Sequence, residues 1–186
     1  RVQAPERPLI MSDRTDEHQG LRFFYFDVAH AVEVHDWIIE VSGGLSGVKD
    51  LHHLESPLAH IQNDDYYPHI TDKLTHLVFA INKHHAFNDG NKRSSIALGA
   101  YFLELNGYDY AVRRFVHRME NIAVYVADNV IDKALLHEVV TSLIYEDDYA
   151  ECLKLALINA IAQASPGTEH VDGGGWITRV DSTGSG

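Results

Sequence analysis

The sequence contains a single cysteine, and its apolar runs all fall well short of the ~20 residues that a membrane-spanning helix needs. A lone thiol cannot form an internal disulfide, which favours a reducing compartment. No signal-peptide pattern opens the chain, so we predict a cytoplasmic protein. Cys152 lies in an apolar helical pattern, so we expect its thiol to be buried and unreactive.

Basic residues are also scarce. The chain has 15 Lys and Arg against 27 Asp and Glu, which gives a formal net charge of −12 with His neutral. This balance argues against non-specific nucleic-acid binding and against attachment to an anionic membrane, because both need clustered positive charge. We therefore expect neither nucleic acid nor a membrane among the partners of this protein.

Apolar residues with helical spacing are abundant, and 45% of the chain is hydrophobic, enough for the core of one ordinary domain. Leu74, Leu77, Val78 and Ile81 recur at i, i+3, i+4 and i+7, which predicts a helix with one buried face. The same periodicity predicts helices at residues 24–41, 51–61, 71–84, 92–105, 116–129, 132–145 and 146–164. The predicted fold class is therefore all-α.

The two ends of the chain lack this periodicity. Residues 1–20 are polar and carry two prolines, and residues 165–186 hold a glycine run and a Ser/Gly end. We predict a flexible arm and a flexible tail for these segments. Between them we predict a main domain over residues 21–145 and an additional C-terminal helix over residues 146–164.

Polar residues concentrate between the third and fourth predicted helices, from His84 to Arg93. Residues 88–91, Asn-Asp-Gly-Asn, have strong turn chemistry. The next helix starts within a residue or two, and its first N–H groups lack intrahelical partners and carry the positive end of the helix dipole. A glycine-containing loop that leads into a helix N-terminus is a binding site for anions, usually phosphate.

Four side chains in this stretch have the chemistry to act on such an anion. Lys92 and Arg93 add positive charge where a phosphate would lie. Asp89 is a hard oxygen ligand suited to the Mg²⁺ that accompanies nucleotide phosphates. His85 stands at the end of the preceding helix and is the natural group to take a proton from an attacking hydroxyl. Together these groups predict the transfer of a phosphorus group.

The pattern His85-x-Phe87-x-Asp89-Gly90-Asn91-Lys92-Arg93 resembles the signature of the Fic/Doc (Fido) family, H-x-F-x-[D/E]-G-N-x-R. Residues 43–56, 67–68 and 102–108 also resemble segments of the death-on-curing (Doc) proteins of that family. The resemblance covers about residues 25–145.

This resemblance implies a Fido-type helical bundle with a short flap near residues 62–70 beside the active site. It implies ATP as substrate, Mg²⁺ as cofactor and a Ser, Thr or Tyr hydroxyl of another protein as acceptor. His85 would be the base and Asp89 would hold the metal. The phosphates would be bound by the turn and the helix start, at Asn88, Gly90, Asn91, Lys92 and Arg93.

Departures from the signature bear on the reaction. Fic proteins that transfer AMP typically carry Pro where Ala86 stands, Gly where Lys92 stands and a second Arg where Ile96 stands. Lys at that place is similar to Doc, which transfers a phosphate, whereas Doc tends to have Ala at the position of Gly90. The leading prediction is phosphate transfer to a protein by a toxin-like enzyme. The alternatives are AMPylation on the same fold and an interaction module that has lost the reaction.

Control of the site is also predicted from the resemblance. Fic proteins are often restrained by a helix bearing [S/T]-x-x-x-E-[G/N], and the stretches 142–146 and 165–169 match its first part only. Asp147 and His170 break the last position, so we predict no intramolecular glutamate lock. A separate antitoxin chain is the implied alternative, and the apolar stripe at 152–161 suggests a dimer contact or restraint in cis.

Three further patterns have weaker claims. His35-Asp36 resembles the doublet of HD-type phosphohydrolases, but further metal ligands have no clear candidates. His137-Glu138 begins like the zinc motif H-E-x-x-H, which here ends in Thr141, so a surface helix is the better interpretation. The three arginines at 113, 114 and 118 form a basic patch, either a solvated face or a contact for an acidic partner.

Overall fold

The computed structural model describes residues 22–164, which fold into helices joined by short loops and confirm the all-α class. The helices are α1 (Val28–Ser42), α2 (His52–His60), α3 (Ile70–His84), α4 (Asn91–Leu105), α5 (Asp109–Ala127), α6 (Lys133–Tyr145) and α7 (Glu151–Ala164). No extended strand forms within residues 22–164, although Val48 and Phe87 make an isolated antiparallel bridge. The predicted arm and tail lie outside the described residues.

Helix α3 is the centre of the bundle and packs against α2, α4, α5 and α6. The four residues predicted to form its apolar face, Leu74, Leu77, Val78 and Ile81, are all fully buried. Where α3 crosses α4 and α5, a Cβ on Gly99 would lie 2.9 Å from the side chains of both Val78 and Phe115. The absence of a side chain at Gly99 therefore lets α4 approach α3 closely, which keeps the turn between them tight.

The ends of α1 follow from local chemistry. Asp27 caps the helix, because its Oδ1 accepts a hydrogen bond from the backbone N–H of His30 at 2.8 Å. The helix therefore starts at Val28 and not at the predicted residue 24. At the other end, the N–H of Gly43 donates to the carbonyl of Ile39 at 2.8 Å, and φ turns positive.

A fully buried lysine near the amino-terminal end of α3 connects this helix to neighbouring segments. Lys73 Nζ donates to the carbonyl of Ile61 at 2.7 Å and to Asp64 Oδ1 at 2.6 Å. It also lies 5.1 and 5.7 Å from the ring centroids of Phe23 and Tyr25. One ammonium group thus joins the end of α2, the loop that follows it and the segment before α1.

Helix α5 begins seven residues earlier than the predicted residue 116. Ala111 and Phe115 are fully buried and extend the stripe of Met119 and Ala123 back by two turns. The two adjacent arginines at 113 and 114 interrupt the apolar pattern in the sequence, but they lie to either side of the buried stripe.

Helix α7 begins at Glu151 and not at the predicted residue 146. Two arginines of the predicted basic patch contact residues that precede α7. Arg114 donates to the carbonyl of Leu143 at 2.6 and 3.0 Å, and Arg118 lies 3.7 Å from Asp148. The patch therefore meets an acidic partner within the chain, in the loop that joins α6 to α7.

The prediction for Cys152 was wrong, because its thiol is exposed. Helix α7 buries Leu153 and Leu157, one turn apart, and leaves Leu155 and Ile158 exposed. A residue adjacent to the buried line points about 100° away from it. Separately, no helix within residues 22–164 combines the length and the apolar character needed to cross a bilayer.

Candidate functional site

The polar stretch forms the turn between α3 and α4, as predicted. His85 directly follows α3, is exposed to solvent and adopts the left-handed conformation, with φ 50° and ψ 52°. Such backbone angles are uncommon for a residue other than glycine, and they concentrate at functional sites. Gly90 is also left-handed, with φ 71° and ψ 10°, and stands immediately before the first turn of α4. The turn therefore begins with an exposed imidazole and ends at the N-terminus of α4.

Two asparagines hold the turn with their side chains. Asn91 Oδ1 accepts from the N–H of Phe87 and its Nδ2 donates to the carbonyl of Phe87, both at 2.9 Å. Asn88 Nδ2 donates to the carbonyl of Ser46 at 3.0 Å. Both residues were predicted to bind phosphate. Their side-chain amides make hydrogen bonds within the chain.

The segment that lies against the turn is the loop after α1. The N–H of Lys49 donates to the carbonyl of Ala86 at 2.8 Å, and the N–H of Asn88 donates to the carbonyl of Gly47 at 3.0 Å. The N–H of Asn88 is therefore used as well, and one of the two donors on Asn88 Nδ2 remains for a ligand. We call residues 43–50 the covering loop.

This position differs from the flap predicted near residues 62–70. Those residues form the loop that leads into α3, where Tyr67 Oη lies 3.2 Å from His76 Nδ1. The turn follows the opposite end of α3, a helix of 15 residues and roughly 21 Å. The length of α3 therefore separates the predicted flap from the turn, whereas the covering loop is hydrogen-bonded to it.

Asp89 is exposed and is ionised over the ordinary pH range. Hydrogen bonds from the N–H groups of Gly90 at 2.5 Å and Leu45 at 3.4 Å lower the pKa of its carboxyl, and the charge of Arg93 lowers it further. A deprotonated, exposed carboxylate is the form that binds a hard cation.

Arg93 reaches back to the end of α1. Its Nη1 donates to the carbonyl of Gly43 at 2.7 Å and to the hydroxyl of Ser42, and its Nη2 lies 3.7 Å from Asp89 Oδ2.

Glu146 ends the stretch 142–146, which matches the first part of the glutamate-lock motif. Its carboxylate accepts a hydrogen bond from Ser142 Oγ at 2.6 Å and is not bonded to Arg93. Glu169 lies outside the described residues.

Lys92 occupies the first turn of α4 with its side chain exposed and without a polar partner among the described residues. A cation at this end of a helix is disfavoured by the dipole unless an anion is bound there. Lys92 and the first N–H groups of α4 therefore form a positive site that can accept an anion.

Gly44 explains why the covering loop comes so close. A Cβ at this position would lie 2.5 Å from Asp89 Oδ2 and 3.0 Å from Arg93 Nη2, and the residue has φ +129°. The backbone angle favours glycine, and a side chain here would displace the ends of the Asp89 and Arg93 side chains.

His35 is a buried residue of this site that the sequence prediction missed. Its ring stacks on that of Phe87 with centroids 3.8 Å apart and an angle of 6° between the planes, and its Nδ1 lies 3.0 Å from Ser94 Oγ. The His35-Asp36 doublet marked the residue, but as a metal site. Within residues 22–164, no three His, Cys, Asp or Glu side chains are grouped so that they could hold a metal ion.

Comparisons with known proteins show which family the chain resembles. The sequence profile of the Fic/DOC family matches residues 25–103. The protein named Toxin Doc from Mycolicibacterium smegmatis is 34% identical over 94 residues, which cover 48% of this chain and 72% of that protein. The protein named Protein kinase doc from Escherichia phage P1 is 36% identical over 80 residues, which cover 41% of this chain and 63% of that protein.

Proposed function

This chain belongs to the Fic/DOC family, and from that premise we propose that it transfers a phosphate from ATP to a hydroxyl group of a protein. The observation that carries the choice of phosphate is Lys92, which is exposed in the first turn of α4 and has no polar side-chain partner within residues 22–164. The name of the phage P1 relative, Protein kinase doc, describes the same reaction class for that protein.

In the proposed reaction the acceptor hydroxyl attacks the γ-phosphorus of ATP. A bond forms between the hydroxyl oxygen and phosphorus, the bond to the β–γ bridging oxygen breaks, and ADP leaves. His85 takes the hydroxyl proton, for which its exposed position at the turn suits it. The products are a phosphorylated protein and ADP.

The start of α4 would bind the phosphates. The N–H groups of its first turn lack intrahelical acceptors, and Lys92 adds a charge beside them. Arg93 contributes a second cation once it exchanges its contacts with the end of α1, and the positive φ of Gly90 lets the chain turn directly into α4. Asn91 contributes through its backbone, because its side chain holds Phe87.

Asp89 is the residue that would hold Mg²⁺. It is a single carboxylate and not a cage, which fits an ion that keeps several waters and takes further oxygens from nucleotide phosphates. When bound, Mg²⁺ would neutralise negative charge that develops on the phosphates.

The test is to incubate the protein with lysate and ATP that carries radiolabel at either the α or the γ position. Retention of γ-label on protein is expected. Retention of α-label would mean attack at the α-phosphorus with loss of pyrophosphate, which is AMPylation. Binding of ATP without any label on protein would mean that the chain is an interaction module.

Substitution of Lys92 tests its role in this choice. Lys92→Gly restores the G-N-G-R form and is expected to move the label from γ to α. Lys92→Ala removes the charge without adding glycine and is the matched control. If Lys92→Gly still transfers γ-label alone, Lys92 does not select the phosphorus that is attacked.

We further propose that the activity is toxic to the cell that makes it and is restrained by a separate antitoxin chain. The similarity to Toxin Doc supports this proposal. Growth arrest on induced expression is expected, with His85→Ala as the control. Normal growth with active enzyme would contradict it.

A further inference from the structure

His35 lies beneath the turn on α1 and is fully buried. Burial lowers the pKa of its imidazole, and nearby Arg93 also acts in this direction against the opposing charges of Asp36 and Asp89. The ring is therefore neutral near neutral pH. A neutral ring packs on Phe87 without bringing a second positive charge under Arg93.

The two contacts of His35 join separate parts of the site. Its face covers the ring of Phe87, which is two residues from His85, with centroids 3.8 Å apart. Its Nδ1 shares a hydrogen bond with Ser94 Oγ, in the first turn of α4, at 3.0 Å. His35 Nε2 has no hydrogen-bond partner among the described residues, so the bond to Ser94 is the polar contact that fixes the plane of the ring.

A second buried histidine on α1 shows what is particular to His35. The ring of His30 is also buried and lies 4.4 Å from that of Tyr101 and 5.9 Å from that of Phe26. Neither of its ring nitrogens has a hydrogen-bond partner among the described residues. His30 thus packs between α1 and α4 as His35 does, but it does not contact the turn.

We infer that His35 is a positioning residue, which fixes the turn that carries His85 relative to the phosphate-binding start of α4 through its stack on Phe87 and its bond to Ser94. This inference rests on the proposed function. It does not place His35 in contact with ATP. Its effect on transfer is exerted through the alignment of two groups that must meet the same phosphate.

The experiment compares His35→Phe, Ser94→Ala, the double variant and His30→Phe. His35→Phe keeps an aromatic face for Phe87 and removes the bond, whereas Ser94→Ala removes the partner with little change in volume. Rates are compared at equal folded fraction. We expect kcat to fall roughly tenfold in either single variant, the effect of losing one orienting hydrogen bond, with a smaller change in the KM for ATP.

Because His35 and Ser94 act through one bond, the double variant should lose no more than the worse single variant. His30→Phe should transfer at the wild-type rate. Independent losses that multiply in the double variant, an equal loss in His30→Phe, or wild-type kcat in Ser94→Ala would overturn the inference.

A second measurement separates this inference from the proposed function. The NMR signals of His85 and Phe87 should shift in Ser94→Ala and stay in place in His30→Phe, whether or not the protein transfers phosphate. If wild-type protein shows no transfer, the proposed function fails and the NMR comparison still decides on His35. Unshifted signals in Ser94→Ala would reject the positioning role.

Discussion

The two ends of α3 both carry polar side chains, but they use them differently. At the amino-terminal end, Lys73 is fully buried and its ammonium contacts a carbonyl, a carboxylate and two aromatic rings. At the carboxyl-terminal end, His85 and Asp89 are exposed, and the imidazole of His85 has no polar partner among the described residues. A buried polar group has to be paired within the chain, whereas an exposed and unpaired one is available to a ligand.

The comparison teaches where function is to be sought along one helix. At the amino-terminal end, Lys73 connects α3 to the end of α2 and to the rings of Phe23 and Tyr25, so the polar groups there stabilise the bundle. The carboxyl-terminal end is held largely by amides and rings, so the side chains of His85 and Lys92 are left without polar partners among the described residues. Substitutions at the two ends should therefore separate loss of activity from loss of stability.

The largest expected effect is on activity at the carboxyl-terminal end. His85→Ala should lower transfer by about 10²–10⁴-fold, because a positioned general base contributes that much to the rate. The free energy of unfolding should change little, since the side chain is exposed. Label transfer and urea denaturation measure the two quantities.

His84→Ala is the matched control. His84 directly precedes His85 and is also exposed, but the centroid of its ring lies 5.7 Å from that of His53. It should keep most of the activity. Near-wild-type turnover in His85→Ala would remove His85 as the base.

The next effect is on stability at the amino-terminal end. Lys73→Met keeps most of the buried volume but leaves the carbonyl of Ile61 without its donor, which should lower the free energy of unfolding by about 1–3 kcal/mol. Transfer per folded molecule should stay at the wild-type value. Urea denaturation of Lys73→Met is compared with that of Lys154→Met, in which two surface pairs, with Asp148 and Glu151, are lost and a much smaller change is expected. Equal stability of the two variants would contradict this account.

A third substitution strains the covering loop. In Gly44→Ala the new methyl group would displace the Asp89 carboxylate and the Arg93 guanidinium or push the loop away, so transfer should fall roughly tenfold. Gly107→Ala is the control, because Gly107 also has positive φ, at +80°, but has open space around it. If both variants keep full activity, the close approach of Gly44 is not needed for the reaction.

The smallest effect is a pH dependence of stability near the amino-terminal end. Burial, together with Lys133, His60 and His84, lowers the pKa of His76 from 6.5 to about 4. Its Nδ1 accepts a hydrogen bond from Lys133 Nζ at 2.9 Å, so this nitrogen cannot carry a proton while the bond is in place.

Because the folded pKa of His76 is depressed, its contribution is fully present above pH 6.5 and is lost as the pH falls toward about 4. His76→Gln should flatten the fall in unfolding free energy between those values, whereas substitution of the exposed His52 by Gln should not. Denaturation curves at several pH values measure this, and an unchanged slope in His76→Gln would refute it.

The sequence was sufficient to predict what depends on local pattern. The apolar face of α3 follows from a spacing of three and four residues, and the turn follows from Asn, Asp and Gly chemistry. The signature around His85 likewise predicted the family, which the comparisons confirm. The assigned roles of the individual site residues stay predictions.

What the sequence could not predict depends on contacts between distant residues. The stack of His35 on Phe87 joins positions 52 residues apart, and no local pattern encodes it. The loop before α7 likewise contacts distant residues, since Asp147 and Asp148 lie 3.9 and 3.7 Å from Arg114 and Arg118 of α5. The side chains of the two asparagines in the turn have the right chemistry for phosphate, but the structure uses both to hold backbone.

The pair of bonds between Asn91 and the backbone of Phe87 has a consequence for how the site responds to its surroundings. The amide of Asn91 uses one donor and one acceptor in these bonds, as a peptide group would, and adds no net charge. Dissolved salt screens charges strongly but hardly affects such neutral bonds. Raising the ionic strength should therefore weaken the binding of an anionic nucleotide. The turn itself should keep its shape after the nucleotide has dissociated.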